Sequence, residues 1–154
     1  MEQRPATALG FDYGLKRIGC AYGQSVTQTA QPLNPLKAQD GTPNWEALEK
    51  LLNEWQPEVL VVGLPLNMDG SISDMARRAR KFANRLHERF KLPTYLCDER
   101  LSSREAKERH MEAGGGTNFG KESVDGIAAQ LILEAWFTQT ELIPSQQRLE
   151  DIYE

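Results

Sequence analysis

Residues Glu58–Gly63 read EVLVVG directly after Pro57, and the stretch that follows, LPLNMDGSIS, is rich in Pro, Asn, Gly and Ser. An apolar run of that length, bounded by turn signals, suits a strand covered on both faces. A chain with such a strand must supply helices for both sides of its sheet, and this one has candidates. Over Asp74–Phe90, residues Met75, Ala79, Phe82, Leu86 and Phe90 form one apolar stripe with arginines opposite. Ser123–Phe137 (SVDGIAAQLILEAWF) is apolar enough to pack as a second helix.

The segments before this strand are extended in pattern. Ala8–Tyr13 (ALGFDY) predicts a buried strand that stops at Gly14, and Ile18–Tyr22 a second, joined to the first by a hairpin over Gly14-Leu15-Lys16-Arg17. A third covers Thr27–Pro35, where the prolines bar a long central strand. Gly41-Thr42-Pro43 is predicted to open a helix, with Thr42 as cap and Pro43 in the first turn, and Trp45, Leu48, Leu51, Leu52 and Trp55 on its inner face. After Pro93, Thr94–Cys97 is a short strand running into Asp98-Glu99-Arg100. A helix is expected over Ser102–Glu112, a Gly-rich loop over Ala113–Gly120, and a loose polar tail from Glu141. The order β-β-β-α-β-α-β-α-α predicts an α/β fold with one mixed five-stranded sheet flanked by helices. With 154 residues, it is read as one domain over 1–138 with a polar C-terminal tail over 139–154.

Composition narrows the function classes. No apolar run approaches the ~20 residues of a membrane span, and the start, MEQRPATALGF, lacks the apolar stretch of a secretory signal. A cytoplasmic, membrane-free protein is expected. Cys20 and Cys97 lie in separate apolar segments without CxxC spacing, which predicts buried free thiols rather than a zinc site or a nucleophile paired with His87 or His110. The net charge of −4 excludes a wholly basic nucleic-acid binder. The charge is nevertheless uneven: Arg77–Arg109 holds 11 basic and 5 acidic residues, a net of +6, against −10 for the remainder. Such a stretch is either an ordinary solvated helix face or one cationic face for a polyanion.

Three acids occupy comparable places. Asp12 ends the first strand, Glu99 follows the last, and Asp125 sits in the first turn of the last helix. Each has a plain structural explanation: a turn cap for Asp12, an ion pair with Arg100 for Glu99, dipole complementation for Asp125. In an open α/β sheet, however, ligand sites gather where strands end. Three converging carboxylates repel one another unless a hard cation joins them, and oxygen-only ligation favours Mg²⁺ or Mn²⁺.

At these residues the chain resembles a known family. Asp12-Tyr13-Gly14 with Arg17-Ile18-Gly19, Val62-Gly63-Leu64-Pro65 with Asp69-Gly70-Ser71, Asp98-Glu99-Arg100-Leu101-Ser102, and Lys121 with Val124-Asp125 closely resemble the bacterial YqgF family, also called RuvX. That family is similar to RuvC-type Holliday junction resolvases. The match spans Ala8 to Phe137 with its motifs in order.

The resemblance implies an RNase H-like fold and metal-dependent phosphodiester cleavage, with Asp12, Glu99 and Asp125 as catalytic and metal-holding carboxylates. Two ions roughly 4 Å apart are expected, with Asp12 bridging because it comes from the central strand. Asp98 is set aside because strand alternation points it to the opposite face. Lys16, Arg17, Arg100 and Lys121 are the candidate substrate-binding residues, and the basic window would hold the backbone in a salt-sensitive way. RuvC-like resolvases carry a second acid one helical turn after the last-helix aspartate, where this chain has Ala128. That departure weakens the junction-resolvase reading more than the nuclease reading.

The expected substrate is structured nucleic acid, RNA before DNA: the 5′ end of pre-16S rRNA, in pre-ribosomal particles, with a DNA junction as the alternative. Two further alternatives remain at this stage. One is a non-catalytic nucleic-acid-binding module on the same fold; the other is a phosphotransferase of the sugar-kinase and actin type, which needs two such domains.

Overall fold

A computed structural model describes residues 7–99, 121–139 and 141–153, and of 121–125 the backbone alone. Three antiparallel strands come first: β1 (Thr7–Asp12), β2 (Arg17–Gln24) and β3 (Thr29–Gln39). Then follow β4 (Thr42–Pro43), α1 (Trp45–Trp55), β5 (Val59–Leu64), α2 (Asp74–Phe90), β6 (Thr94–Asp98), α3 (Lys121–Thr138) and β7 (Ile143–Pro144). The expected helix over 102–112 and loop over 113–120 lie outside the described residues.

The strands form one mixed sheet in the order β4-β3-β2-β1-β5-β6-β7. β1 pairs antiparallel with β2 and parallel with β5, and β5 pairs parallel with β6. The architecture is the expected one, but the sheet has seven strands rather than five. Both additions are two-residue edge strands, too short to carry any periodicity in the sequence. At one edge, Asp40 and Gly41 adopt φ of 51° and 85° and turn the chain back, so that Thr42 and Pro43 pair with Gln39 and Ala38. Thr42 therefore caps nothing. Asn44 caps α1, its Oδ1 accepting from the backbone N–H groups of Glu46 and Ala47 at 3.0 and 3.1 Å.

β3 runs for 11 residues, longer than its prolines suggested. It pairs with β2 along one side, and on the other, among the described residues, only Ala38 and Gln39 find a partner strand. Pro32 therefore needs no second donor, and Pro35 falls where the β2–β3 register shifts between Ile18 and Cys20.

Alternation along the strands divides the core into two layers. Leu9, Phe11, Leu60, Val62, Leu64 and Leu96 face α1 and α2, whose inner sides supply Leu48, Leu52, Ala79, Phe82 and Leu86. Ala8, Val59, Val61 and Cys97 face α3, which brings Ala129, Ile132, Leu133 and Trp136. Every residue of β5 is buried, as its continuous apolar run required. α2 is capped by Ser73, whose Oγ accepts from Ala76 N at 3.0 Å and donates to Pro65 O at 2.6 Å, tying the helix to the loop before it.

The C-terminal segment is not loose. Ile143 and Pro144 pair with Leu96 and Tyr95 on the outer edge of β6, and Ser145 N donates to Thr94 O at 2.9 Å. Arg80 donates from Nε and Nη2 to the carbonyls of Gln147 and Gln146, both at 2.8 Å, and Arg77 pairs with Glu150 at 2.7 Å. The hydrogen bond from Arg77 holds the Glu150 carboxyl below the usual carboxylate range. Leu149, 1% exposed, joins the α2-side core. The polarity of the segment concealed this because one apolar residue and backbone hydrogen bonds, rather than a stripe, hold it. Truncating a buried leucine costs about 2–4 kcal/mol, so Leu149→Ala should lower the melting temperature by about 5–15 °C. An unchanged thermal midpoint would mean that the segment is undocked in solution.

Candidate active site

Three parallel strands end at the same edge of the sheet. Asp12 closes β1 opposite Gly19 of β2. It follows Ala8 and Gly10 on the face turned to α3, since alternate residues of a strand share a face. Gly63 follows Val59 and Val61 on that face of β5, and Glu99 follows Cys97 at the end of β6. The carboxylate of Glu99 lies directly over Gly63. A Cβ there would stand 2.9 Å from both Cγ and Oε2 of Glu99, and 2.6 Å from Cδ1 of Ile132. Only glycine leaves room for the acid in this position.

α3 runs antiparallel to β1 across this face. The Phe137 ring meets Gly23, which is opposite Ala8, while the Leu133 Cβ and Ala129 carbonyl cover Gly10. One further turn toward the helix N-terminus, a rise of about 6 Å, matches the ~6.6 Å that separates Gly10 from Asp12 along the strand. That turn leads from Ala129 to Asp125. Next to it, Gly126 abuts Pro32 and the Leu33 carbonyl of β3, so this end of the helix lies close on the sheet.

Thus Asp12 and Glu99 share one face and one edge, and the backbone carries Asp125 toward the same place; the Asp125 side chain is outside the described residues. Asp98, 8% exposed, lies on the other face with Leu64 and Leu96. Lys16 and Arg17 are exposed where the β1–β2 hairpin returns, and Lys16 O accepts from Ala38 N at 2.9 Å. Arg100 and the side chain of Lys121 lie outside the described residues. The seat that Gly63 makes for Glu99 escaped the sequence reading. The available signal was a lone glycine within an otherwise unbroken apolar strand.

Other chemistries lose support from the same structure. Cys20 belongs to the α2-side core and Cys97 to the α3-side core, so the sheet separates them and they share no metal site. Burial pushes the Cys20 thiol up to about 12, well away from thiolate chemistry at neutral pH. The Cys97 thiol donates to Ile132 O at 3.6 Å. His87 Nδ1 lies 3.0 Å from Leu92 O at the end of α2, a structural contact. Trp136 and Phe137 are core residues, while Trp45 and Trp55 pack half-buried against Phe82 and Tyr22. Among the described residues, no helix is long and apolar enough to cross a membrane.

Known proteins resemble this chain in sequence and in fold. A family model described as RuvX, Holliday junction resolvase, matches residues 6–139. A protein of Saccharophagus degradans named "Putative pre-16S rRNA nuclease" is 55% identical over 133 residues, covering 86% of this chain and 94% of its own. A Haemophilus influenzae protein of the same name is 57% identical over 135 residues, covering 88% and 97%. Among solved structures, Thermus thermophilus RuvC in complex with a Holliday junction superposes with a TM-score of 0.57 at 15% identity, covering 90% of this chain and 99% of that one. The yeast mitochondrial Holliday junction resolvase Ydc2 gives 0.51 at 14% identity, covering 94% and 80%. These structural likenesses establish the RNase H-like fold. The extent of the family match and the identity to its curated relatives make this chain a member of the RuvX family.

Proposed function

We propose that this protein is a metal-dependent nuclease that trims the 5′ side of pre-16S rRNA in the cytoplasm. The observation that carries the reading is the seating of Glu99 over Gly63, on the same face and edge as Asp12, with the backbone of α3 bringing Asp125 toward them. Buried thiols fit a reducing compartment, and the names of the two relatives above support this choice of substrate.

Asp12, Glu99 and Asp125 would hold the metal. Their donors are all carboxylate oxygens, which suits Mg²⁺ or Mn²⁺ rather than zinc, and the glycine seat makes room for the Glu99 carboxylate at the sheet edge. A divalent pair bound there supplies a lowered water pKa and stabilises negative charge on the departing oxygen. The protein's own part is positional. β1 and β6 would fix two carboxylates at their strand ends, and Asp125 would add the third from α3, which packs on the same strands. Lys16 and Arg17, exposed on the hairpin after Asp12, would approach a phosphate beside the scissile bond, and we assign Arg100 and Lys121 the same role. In hydrolysis a water oxygen bonds to phosphorus and the bridging 3′ oxygen leaves with a proton, giving a 5′-phosphate and a 3′-hydroxyl.

Cleavage of branched DNA is the second reading. The description of the family and the RuvC-like fold favour it, while Ala128 stands where junction resolvases carry another acid. Incubating the purified protein with pre-16S leader RNA and with a four-way DNA junction, in Mg²⁺ or Mn²⁺, separates the two. We expect RNA cleavage that is abolished by EDTA and lowered about 10²–10³-fold or more by Asp12→Asn or Asp125→Asn. Cleavage that survives both substitutions would leave a binding module. Normal 16S 5′ ends in cells depleted of the protein would turn the assignment to DNA.

A subtler variant tests the seat of Glu99. Gly63→Ala combined with Ile132→Val, which removes the Cδ1 that a new Cβ would strike, should fold yet cleave at least about tenfold more slowly, because Glu99 is displaced. Wild-type rates in this double variant would detach Glu99 from the chemistry.

A further inference from the structure

Five of the six lysines and arginines of α2 fall into two sets with different work, while the sixth, Arg89, lies over the Trp45 ring at 4.2 Å. Arg77 and Arg80 are occupied by the C-terminal segment, through Glu150 and the carbonyls of Gln146 and Gln147. Arg78, Lys81 and Arg85, at spacings of three and four residues, share another side of the helix and line a cavity of about 320 Å³. Tyr13, Phe82 and the Asp40-Gly41-Thr42 turn complete its wall. Among the described residues Asp40 is the one acid in it, 3.7 Å from Arg78 Nη1 and 81% exposed, so the pair is weak and these residues carry a net positive charge. Lys81 and Arg85 have no ion-pair partner among the described residues.

The wall opposite α2 is preformed. Gly41 N donates to Leu15 O at 2.9 Å, joining the β3–β4 turn to the β1–β2 hairpin. Gly41 has φ of 85°, and the Tyr13 hydroxyl lies against its Cα, filling the space any side chain would take. The Tyr13 ring in turn packs on Phe82, with centroids 5.2 Å apart. Asp12 and Tyr13 are consecutive residues on opposite faces of the sheet. Among the described residues, the end of β1 is what separates the cavity from Asp12 at this point.

We infer that Arg78, Lys81 and Arg85 form a phosphodiester-binding subsite, which holds the substrate strand after it passes over the end of β1 from the carboxylate site. The ligand chemistry is the phosphate of a polynucleotide backbone. Among the described residues the site offers three side-chain cations, and its two aromatic rings, Tyr13 and Phe82, pack on each other, so it positions the strand and does not read sequence. This inference rests on the nucleic-acid substrate proposed above but not on the cleavage chemistry.

Its test is therefore a binding measurement on a chain carrying Asp12→Asn throughout. The probes are labelled 12-nucleotide RNA and DNA strands, titrated across a range of KCl concentrations. Each phosphate contact adds about 0.7 to the slope of log affinity against log salt for a single strand, or about fivefold in affinity near 0.1 M. Replacing all three cations (Arg78→Gln, Lys81→Gln, Arg85→Gln) should weaken binding about 100-fold and reduce the slope by about 2. A control that removes three exposed charges elsewhere, Lys50→Gln, Lys91→Asn and Arg148→Gln, should change affinity less than about threefold.

Asp40→Asn should act in the opposite sense, tightening binding severalfold by freeing Arg78. Asparagine suits its positive φ of 51°, so the fold is kept. A loss on either strand type with the triple variant, together with the gain from Asp40→Asn, supports the subsite. Equal affinities for the triple variant and the control overturn it. So does a cavity that binds inorganic phosphate, seen as shifts of the Tyr13 and Gly41 amides, while strand affinity is unchanged by the triple variant.

Discussion

The parallel pairing of β1, β5 and β6 is the constraint on which the remaining features depend. Parallel neighbours end at the same edge, so whatever follows Asp12, Leu64 and Asp98 in the chain emerges there. Because β5 is buried on both sides, the register is held tightly: a shift of one residue would turn Val59 and Val61 toward α2 and place Leu60 and Val62 under α3. The same register that packs the core puts Gly63 beneath Glu99 and leaves Asp98 on the opposite face. Core packing and site geometry are thus consequences of one alignment.

The two faces of the sheet are specialised by the helices that cover them. α3 packs over β1, β2 and β3 through small and apolar residues, close enough for the Ala129 carbonyl and Leu133 to lie on Gly10. A helix held so close carries its N-terminal turn toward the strand ends with little freedom to drift. α2 is amphipathic, with an inner stripe of Ala76, Ala79, Phe82, Ala83 and Leu86 and a strongly cationic outer surface. That surface is divided by its neighbours: the C-terminal segment occupies one side, and the Asp40–Thr42 turn faces the other. Charge that is uniform along the helix in sequence becomes structural on one flank and available on the other.

Edge protection has a similar logic. β6 would expose a row of backbone donors and acceptors, and β7 covers part of it. β3 is guarded by Pro32, Pro35 and the short β4. Both devices use few residues, and neither produces an apolar stripe.

Much of the molecule was legible in the residues. The run EVLVVG demanded a doubly covered strand, the stripe through α2 gave that helix its observed bounds, and Asp12 and Glu99 were legible as strand-end residues, because periodicity and turn chemistry are local properties written in adjacent residues. What adjacent residues do not encode is which distant groups meet. Thr42 and Pro43 carry the local marks of a helix start, yet the Asp40-Gly41 turn pairs them with β3. The C-terminal residues look solvated, yet Arg80 and the edge of β6 hold them. Seating Glu99 on Gly63 and dividing the arginines of α2 were likewise tertiary decisions, since both depend on contacts between segments far apart in the chain, whose energies exist only once the sheet has closed.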